Sequence, residues 1–435
     1  MTGRTRRGGK PIRLGLIADD LTGANDTGVQ FARRGARTIV PLDWHDLETL
    51  GRDADVLALN TNSRALTPRV AAQRARVAAE ALRRAGVEAV YKKIDSTFRG
   101  NVGAELDAIL AVYPAPLAFL TPAFPPAGRA VRDGILTVQG IPVHRTAIGR
   151  DPVTPVHESH LPTLLGRQCR RPVHSLSLAA LRGGALAQAR LLASWRAQES
   201  AVVVADAATA GDLARLARLL LREQLFGVAA GSAGLAEALS RALCWRRRPG
   251  AGAPDGKGAM LVVVGSPNPV SLEQIAWAES REQVPVVRAT LREILGDGDC
   301  YRRELERVVR KLRPEVTAGR DAILTLAQRN ADPTRRPLRP TASRTLSEFL
   351  GQAARRLAGG GGLGGLVLCG GDIAMAACGA LGARGVELRG EVEPGVPWGQ
   401  LVGGDLAGLP TVTKAGGFGQ PSAFARALRF LRRAR

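Results

Sequence analysis

The sequence is poor in acidic and aromatic residues. Its 435 residues include 39 Asp plus Glu against 61 Lys plus Arg, a formal net charge of +22, and only 4% are aromatic. Such an excess of base suits a nucleic acid, a membrane surface or an anionic small substrate as partner. Nucleic-acid binders usually cluster basic residues with aromatics, whereas arginines here are spread along helical patterns such as 69–84. We therefore expect a solvated arginine-rich surface and no nucleic-acid partner.

Cysteines and long apolar runs are also scarce. The five cysteines are widely spaced and form no C-x-x-C pair, so we expect neither disulfides nor a zinc site, and a reducing cytoplasm fits best. No run of about 18 apolar residues occurs, so we expect no membrane-spanning segment. Residues 1–11 are basic and lack the apolar stretch of a secretory signal, which predicts a flexible tail.

What the sequence does contain is a regular alternation of short β-rich runs with helical patterns. The runs IRLGLIA, RTIV, DVLALN and AVYKKI have the composition of strands, and helical patterns separate most of them. This order is typical of α/β proteins. A stretch rich in Gly, Pro and charge at 246–258 predicts a linker. We therefore predict two α/β domains with largely parallel sheets, one at 12–245 and the other at 259–435.

Polar side chains follow two of the predicted strands in the first domain. In open α/β sheets, ligands bind beyond the carboxyl ends of the strands. A guanidinium and a lysine there would hold a substrate carboxylate, while neighbouring aspartates would accept hydrogen bonds from its hydroxyls. This mixture suits a polyhydroxy acid. The candidate substrate-binding residues are Asp19, Asp20, Lys92, Asp95, Ser96, Arg99 and Asn101.

Two adjacent lysines, Lys92 and Lys93, lie inside the strand pattern AVYKKI. Successive side chains of a strand point to opposite faces, so one lysine must face a helix layer or reach along the strand to an anion. An unpaired ammonium in that layer would be costly. Two interpretations stay open: an edge strand with both lysines partly exposed, or a cluster in which one lysine holds the substrate.

Three glycine turns follow predicted strands of the second domain. They are VVVGSPNP, LCGGDIAMA and TKAGGFG. None has the Walker A spacing, yet glycine turns that lead into helix N-termini favour anions. Three of them on one predicted sheet edge therefore predict a nucleotide phosphate site. Asp372 is either a helix cap or a ligand contact, and the sequence names no set of metal ligands.

Six motifs in this chain order resemble a known family: IADDLTGANDTG, YKKIDSTFRGN, TPAFPPAGR, DPVTPVHESHLPTLL, CGGDIA and TKAGGFG. Together they are similar to the four-carbon acid sugar kinases, which act on D-threonate, D-erythronate or 3-oxo-tetronate. The resemblance implies an N-terminal sugar-acid-binding domain, a C-terminal ATP-binding domain and an active-site cleft between them. With the glycine turns, it gives these candidate nucleotide-binding residues: Ser266, Gly370, Gly371, Asp372, Ile373, Lys414, Gly416 and Gly417.

The sequence thus leads to the hypothesis of a kinase that transfers phosphate from ATP, with Mg²⁺, to the 4-hydroxyl of a four-carbon sugar acid. Asp19 and Asp20 are the candidate catalytic residues, and either could orient the hydroxyl and accept its proton. A sensor that binds both ligands without turnover is the alternative, because family members often have Glu-Thr where this chain has Asp372 and Ile373. A nucleic-acid-binding protein is the weaker alternative, and a homo-oligomer is left open.

Overall fold

The structure, a computed structural model, describes residues 13–44, 47–151, 153–197, 200–243, 245, 254, 256–326 and 340–432. The described residues form two compact units. The first includes those up to residue 245 except 41–43, and the second includes 41–43 and those from 254 onward. The predicted basic tail and most of the predicted linker at 246–258 lie outside the described residues.

The first unit contains eleven strands and nine helices among its described residues. The strands are β1 (Leu14–Ala18), β2 (Thr38–Pro41), β3 (Val56–Asn60), β4 (Ala89–Lys93), β5 (Leu117–Thr121), β6 (Arg129–Arg132), β7 (Ile135–Val138), β8 (Ile141–Pro142), β9 (Val173–Leu176), β10 (Ala201–Ala205) and β11 (Val228–Gly231). The helices are α1 (Leu21–Ala32), α2 (Leu47–Leu50), α3 (Pro68–Arg84), α4 (Val102–Val112), α5 (Leu161–Gly166), α6 (Leu178–Arg182), α7 (Ala185–Arg196), α8 (Ala210–Arg222) and α9 (Ala233–Ala242).

A parallel sheet forms the centre of this unit, in the strand order β2-β3-β1-β4-β11-β5-β10-β9. The strands β1, β4, β5 and β10 are buried along their whole length. Parallel sheets are covered on both faces, which explains why these strands are nearly continuous apolar runs in the sequence. The two lysines of β4 are the exception to that composition.

The second unit has seven strands and six helices among its described residues. The strands are β12 (Ala259–Val264), β13 (Val286–Arg288), β14 (Ala322–Thr325), β15 (Leu363–Cys369), β16 (Gly385–Glu393), β17 (Val396–Val402) and β18 (Pro410–Lys414). The helices are α10 (Pro269–Arg281), α11 (Leu291–Ile294), α12 (Gly298–Thr317), α13 (Pro340–Ala358), α14 (Gly371–Ala380) and α15 (Ala423–Leu431). Strands β13-β14-β12-β15-β18 run parallel, and β17 and β16 continue the sheet in antiparallel pairing.

Local chemistry determines several helix starts. Asp20 is the N-cap of α1, and its Oδ1 accepts a hydrogen bond from the Gly23 amide at 2.7 Å. Helix α3 begins with Thr67 as N-cap and Pro68 in its first turn, as the sequence predicts, because proline needs no amide partner there. The predicted mixed α/β class with largely parallel sheets is therefore confirmed.

Two local expectations need correction. The segment 128–165 lacks a clean periodicity, and its sequence predicts a long loop of the kind that is usually functional. It contains instead the small antiparallel sheet β6-β7-β8 and helix α5. The loop-like pattern that ends in PTASRT overlaps the start of α13 at Pro340–Ala358. Strands of two to four residues are too short for a periodic signal, and helix α13 begins at a proline that resembles loop sequence.

Within the parts of the chain that the structure describes, no helix has both the length and the apolar character required to span a bilayer.

Candidate active site

The two aspartates after β1 bind a single guanidinium. Arg64 donates from Nε to Asp19 Oδ2 and from Nη2 to Asp19 Oδ1, both at 2.8 Å. Its third nitrogen, Nη1, lies 2.8 Å from Asp20 Oδ2. Arg64 follows β3, which is the neighbour of β1 in the sheet, so parallel pairing brings the three side chains to the same edge. The turn after β1 therefore lets both carboxylates reach one place.

The two aspartates differ in accessibility. The Asp19 side chain is 4% exposed and that of Asp20 is 30% exposed. Burial alone would raise the pKa of Asp19, but the hydrogen bonds and positive charge of Arg64, aided by Lys92 and Lys93, hold it below its usual value. Asp19 therefore anchors Arg64, while Asp20 keeps a face open to a ligand.

Lys92 forms an ion pair with a helix of the neighbouring layer. Its Nζ lies 2.9 Å from Glu105 Oε2 in α4, and both side chains are almost fully buried. The contact has the distance of an ion pair without the direction of a good hydrogen bond. Glu105 also accepts a hydrogen bond from Ser63. Burial raises the pKa of Glu105, and the charge of Lys92 partly opposes this.

Lys93 points to the opposite side of β4. Its residue surface is only 6% exposed, and a methyl group placed on Gly23 of α1 would lie 3.1 Å from its Nζ. The edge-strand interpretation of the two lysines is therefore wrong: β4 lies between β1 and β11, and both lysines are buried.

The loop after β4 is organised around Asp95. Arg99 donates to both oxygens of Asp95 at 3.0 and 3.1 Å, and its Nη1 lies 3.3 Å from Asp151 Oδ2. Thr97 donates to Asp95 through its amide at 3.1 Å and through its hydroxyl. Burial would raise the pKa of Asp95, but hydrogen bonds and charge from Arg99 lower it strongly. Asp95 thus fixes Arg99, whose predicted role as a carboxylate binder stays a prediction.

Loop geometry next to this cluster is unusual. Phe98 is fully buried with φ of 64°, a left-handed conformation that a bulky residue adopts at a cost. Gly100 has φ of 95°, and a methyl group on it would lie 3.4 Å from Asp19 Oδ2. Asn101 donates to the Leu66 carbonyl at 2.8 Å and so ties the loop to the segment that carries Arg64.

A cavity of about 210 Å³ opens beside these groups. Ser96, on the loop after β4, is half-buried, and its hydroxyl has no hydrogen-bond partner among the described residues. The cavity is lined by Arg64, Leu66, Phe98, Gly100, Asn101 and residues 153–156 of the irregular segment, with Leu164 and Gln168. The segment 128–165, whose sequence predicts a functional loop, thus contributes one wall of this cavity.

Sequence reasoning missed Arg64, Glu105 and Asp151. Arg64 had a usable signal, because it stands four residues after the end of β3, and the residues that follow a parallel strand are the ones to inspect. Asp151 opens the motif DPVTPVHESHLPTLL, but nothing in the sequence pairs it with Arg99, 52 positions away. Glu105 had no signal, since it lies inside the largely apolar helix α4.

The three glycine turns of the second unit meet at one sheet edge. Val264, Cys369 and Lys414, the last residues of β12, β15 and β18, are paired in register. The turns therefore begin at the same level on three neighbouring strands. This placement of the three turns on one edge was predicted from the sequence and is confirmed.

The turns are packed closely against each other. A methyl group on Gly416 would lie 1.9 Å from Ser266 Oγ, so this position has no room for a side chain. Ser271 donates to the Gly416 carbonyl at 2.8 Å, and Asn268 caps α10 by accepting from Val270. Gly417 follows directly, next to Asn268. Backbone amides at the starts of α10 and α14 have no intrahelical acceptor, which is the chemistry that binds phosphate oxygens.

Three further predicted nucleotide residues have distinct settings. Lys414 is buried and donates to the Ala415 and Gly416 carbonyls at 2.8 and 3.4 Å, and burial lowers its pKa. Ile373 is buried, with its side chain against Gly265. Asp372 is exposed in the first turn of α14, while Gly370 has φ of 112° and provides the turn before it with Gly371. Their roles in nucleotide binding stay predictions.

The fold and these sites define a class of two-unit α/β protein, with carboxylates, an arginine and lysines at one sheet edge and glycine turns at another. The family profile described as "Sugar-binding N-terminal domain" matches residues 14–239, and "Nucleotide-binding C-terminal domain" matches residues 261–424.

Known proteins give the family. A D-threonate kinase of Bordetella bronchiseptica is 40% identical over 97% of this chain and 98% of its own. A D-erythronate kinase of Heliobacterium modesticaldum is 33% identical over 94% of each chain. A crystal structure of a Salmonella typhimurium protein shares the fold, with a TM-score of 0.80 and 25% identity, covering 96% of this chain and 99% of the other. The chain belongs to the four-carbon acid sugar kinase family.

Proposed function

We propose that this protein transfers the γ-phosphoryl group of ATP to the 4-hydroxyl of a four-carbon sugar acid. The hydroxyl oxygen attacks the γ-phosphorus and forms the new P–O bond. The bond from that phosphorus to the β-phosphate oxygen breaks, and its electron pair leaves with ADP. The hydroxyl proton goes to a carboxylate of this chain. Such a reaction depends mainly on positioning and on electrostatic stabilisation of the transferred group.

The observation that carries the proposal is the cluster of Asp19, Asp20 and Arg64 next to the 210 Å³ cavity. Carboxylates that are fixed by a guanidinium accept hydrogen bonds from sugar hydroxyls in a defined geometry. Residues Ser96, Arg99 and Asn101 stand on the same loop and are proposed to contact the acid. The predicted cleft between the domains stays a prediction.

Asp20 is the better candidate for the base. Both oxygens of Asp19 accept from Arg64, and its side chain is almost fully buried. Asp20 is nearly a third exposed at the start of α1. We propose that Asp19 positions Arg64 and that Asp20 orients the hydroxyl and takes its proton, a task within reach of a fixed carboxylate.

The glycine turns of the second unit are the proposed site for the phosphates of ATP. Ser266, the Gly370–Ile373 turn and the Gly416–Gly417 turn present amides and a hydroxyl at one edge. Lys414 supports this edge by holding the carbonyls of its own loop. Ile373 contributes through its amide, because its side chain is buried against Gly265. The sensor alternative is motivated by isoleucine standing where family members often have threonine, and this side chain faces inward.

Mg²⁺ accompanies the nucleotide in this proposal. Among the described residues, no group of three or more His, Cys, Asp or Glu side chains is arranged to hold a metal. Magnesium in kinases is usually held by one or two carboxylates together with substrate phosphates and waters. The exposed carboxylate of Asp372 beside the glycine pair fits that donor set. When bound, the ion would neutralise negative charge on the phosphates.

A substrate panel tests the function. We expect the purified protein with MgATP to release ADP in the presence of D-threonate, D-erythronate or a 3-oxo-tetronate, as measured by a coupled ADP assay. Calorimetry with each acid and with ATP tests the sensor alternative in the same preparation. Binding of both ligands without ADP release above the rate with ATP alone would reject the kinase and support the sensor.

The basic surface does not favour the nucleic-acid alternative. Arginines of both units form ion pairs with the chain's own carboxylates, for example Arg182 with Asp212 and Arg288 with Glu279. Phosphate contacts by free cations would give binding that falls steeply with salt. We expect no DNA binding at about 0.15 M salt. The cytoplasmic location and the oligomeric state also stay predictions.

Gly416 provides a test of the nucleotide site. The substitution Gly416→Ala would drive a methyl group into Ser266 Oγ, and such overpacking costs about 1–3 kcal/mol. We expect ATP affinity to fall by roughly ten- to a hundredfold, measured by calorimetry with MgATP. Gly379→Ala in α14 is the matched control, because no atom lies within 4 Å of its added methyl group. Unchanged ATP affinity in Gly416→Ala would contradict the proposed site.

A further inference from the structure

Lys93 is a buried residue whose ammonium has no counterion among the described residues. It is 94% buried, and the described part of the chain gives its Nζ no hydrogen bond and no ion pair. Its charge acts on the carboxylates of Asp19 and Asp26, yet neither pairs with it. Lys92, the preceding residue, has Glu105 for this purpose. The ammonium of Lys92 is therefore already paired, whereas that of Lys93 can bind a ligand.

A lysine whose stem is buried and whose ammonium has no counterion favours a ligand of opposite charge at that place. Lys93 Nζ lies against Gly23 in the first turn of the twelve-residue helix α1. The positive end of the helix dipole acts at the same place. Two positive features thus converge beside Asp20, which is the proposed base. This setting selects an oxyanion as the missing partner.

The position of Lys93 distinguishes between the two oxyanions of the reaction. The cavity proposed for the sugar acid is lined by Arg64, by the loop after β4 and by residues near α4, and Lys93 is not among its lining residues. Lys92 and Glu105 occupy the α4 side of β4, whereas Lys93 occupies the α1 side. Asp20 contacts both regions. Its Oδ2 lies next to Arg64, which lines the cavity, and its Oδ1 accepts from the Gly23 amide of α1.

We propose that Lys93 and the first turn of α1 bind the oxygens of the phosphoryl group while it is transferred. The residue then stabilises the negative charge on that group as the new P–O bond forms and the bond to ADP breaks. This inference rests on the proposed kinase function and assigns its electrophilic residue. Lys92, which the sequence suggested for the substrate, pairs with Glu105, and its contact with the substrate stays a prediction.

The test compares Lys93→Met with wild type and with Lys93→Arg, which keeps the charge. We expect Lys93→Met to lower kcat by on the order of a hundredfold, the usual loss for one donor to a developing oxyanion. Affinity for the sugar acid, measured by calorimetry, should stay unchanged, and Lys93→Arg should recover part of kcat. The melting temperature of Lys93→Met should be no lower than that of wild type, because the ammonium has no partner to lose.

A second measurement does not depend on turnover. Inorganic phosphate should raise the melting temperature of wild type and not that of Lys93→Met. Weaker sugar-acid binding with unchanged kcat would overturn the proposal and assign Lys93 to the substrate carboxylate. Equal stabilisation of both proteins by phosphate, or a Lys93→Met protein that does not fold, would also overturn it. If wild type shows no turnover, the kinase function fails, and the phosphate measurement alone decides the role of Lys93.

Discussion

Replacing Asp20 by Asn should lower turnover by at least about a hundredfold, since a positioned acid or base is typically worth 10² to 10⁴. The amide cannot take up the hydroxyl proton. The helix cap should persist, because Asn is as good an N-cap as Asp and its oxygen can still accept from Gly23. The NH2 group that replaces Oδ2 loses the contact with Arg64, which Asp19 still holds through two hydrogen bonds. The measurement is the initial rate of ADP release, accompanied by the melting temperature of the variant.

Asp297→Asn is the matched control for this variant. Asp297 is the N-cap of α12 and accepts from the amides of Asp299 and Cys300, so the change repeats the chemistry of a cap away from the predicted site residues. We expect its turnover to equal that of wild type. A near-normal rate for Asp20→Asn would remove Asp20 from the role of base and return the question to Asp19.

Replacing Lys92 by Met should destabilise the first unit by about 3–5 kcal/mol, the usual cost of removing one partner from a buried ion pair. Glu105 would then be a buried carboxylate with only Ser63 as hydrogen-bond donor. For a unit of this size the melting temperature should fall by on the order of 10 °C. Thermal unfolding followed by circular dichroism measures the change.

The double variant Lys92→Met/Glu105→Gln separates the ion pair from simple packing. It removes both charges and keeps a group that can bond Ser63, so most of the lost stability should return. A double variant as unstable as Lys92→Met would show that the packing of the lysine side chain, rather than the unpaired charge of Glu105, accounts for the loss. Lys93→Met, one residue further along, should show no comparable loss, because its ammonium has no partner in the described structure.

The architecture was largely predictable because strong local signals agree with it. The strands are short apolar runs, as parallel strands buried on both faces must be. Helix starts such as Thr67 with Pro68, and Ser232 before α9, were also readable from the chain. The β16–β17 hairpin was not predicted, because β16 is partly exposed and carries charged residues that weaken the apolar pattern, while β17 contains a proline and a glycine, which are scarce in strands.

The sequence by itself determined which segments supply chemistry, since a residue that follows a parallel strand must lie at the ligand edge of the sheet. That argument places Asp19, Asp20, Asp95 and the three glycine turns where the structure has them. Only the tertiary structure decided which charges meet. Arg64 joins the two aspartates, Lys92 pairs with Glu105 of α4, and Lys93 has no ion-pair partner among the described residues. The sequence is silent about these pairings, because side-chain partners depend on the packing of helices against the sheet rather than on local order.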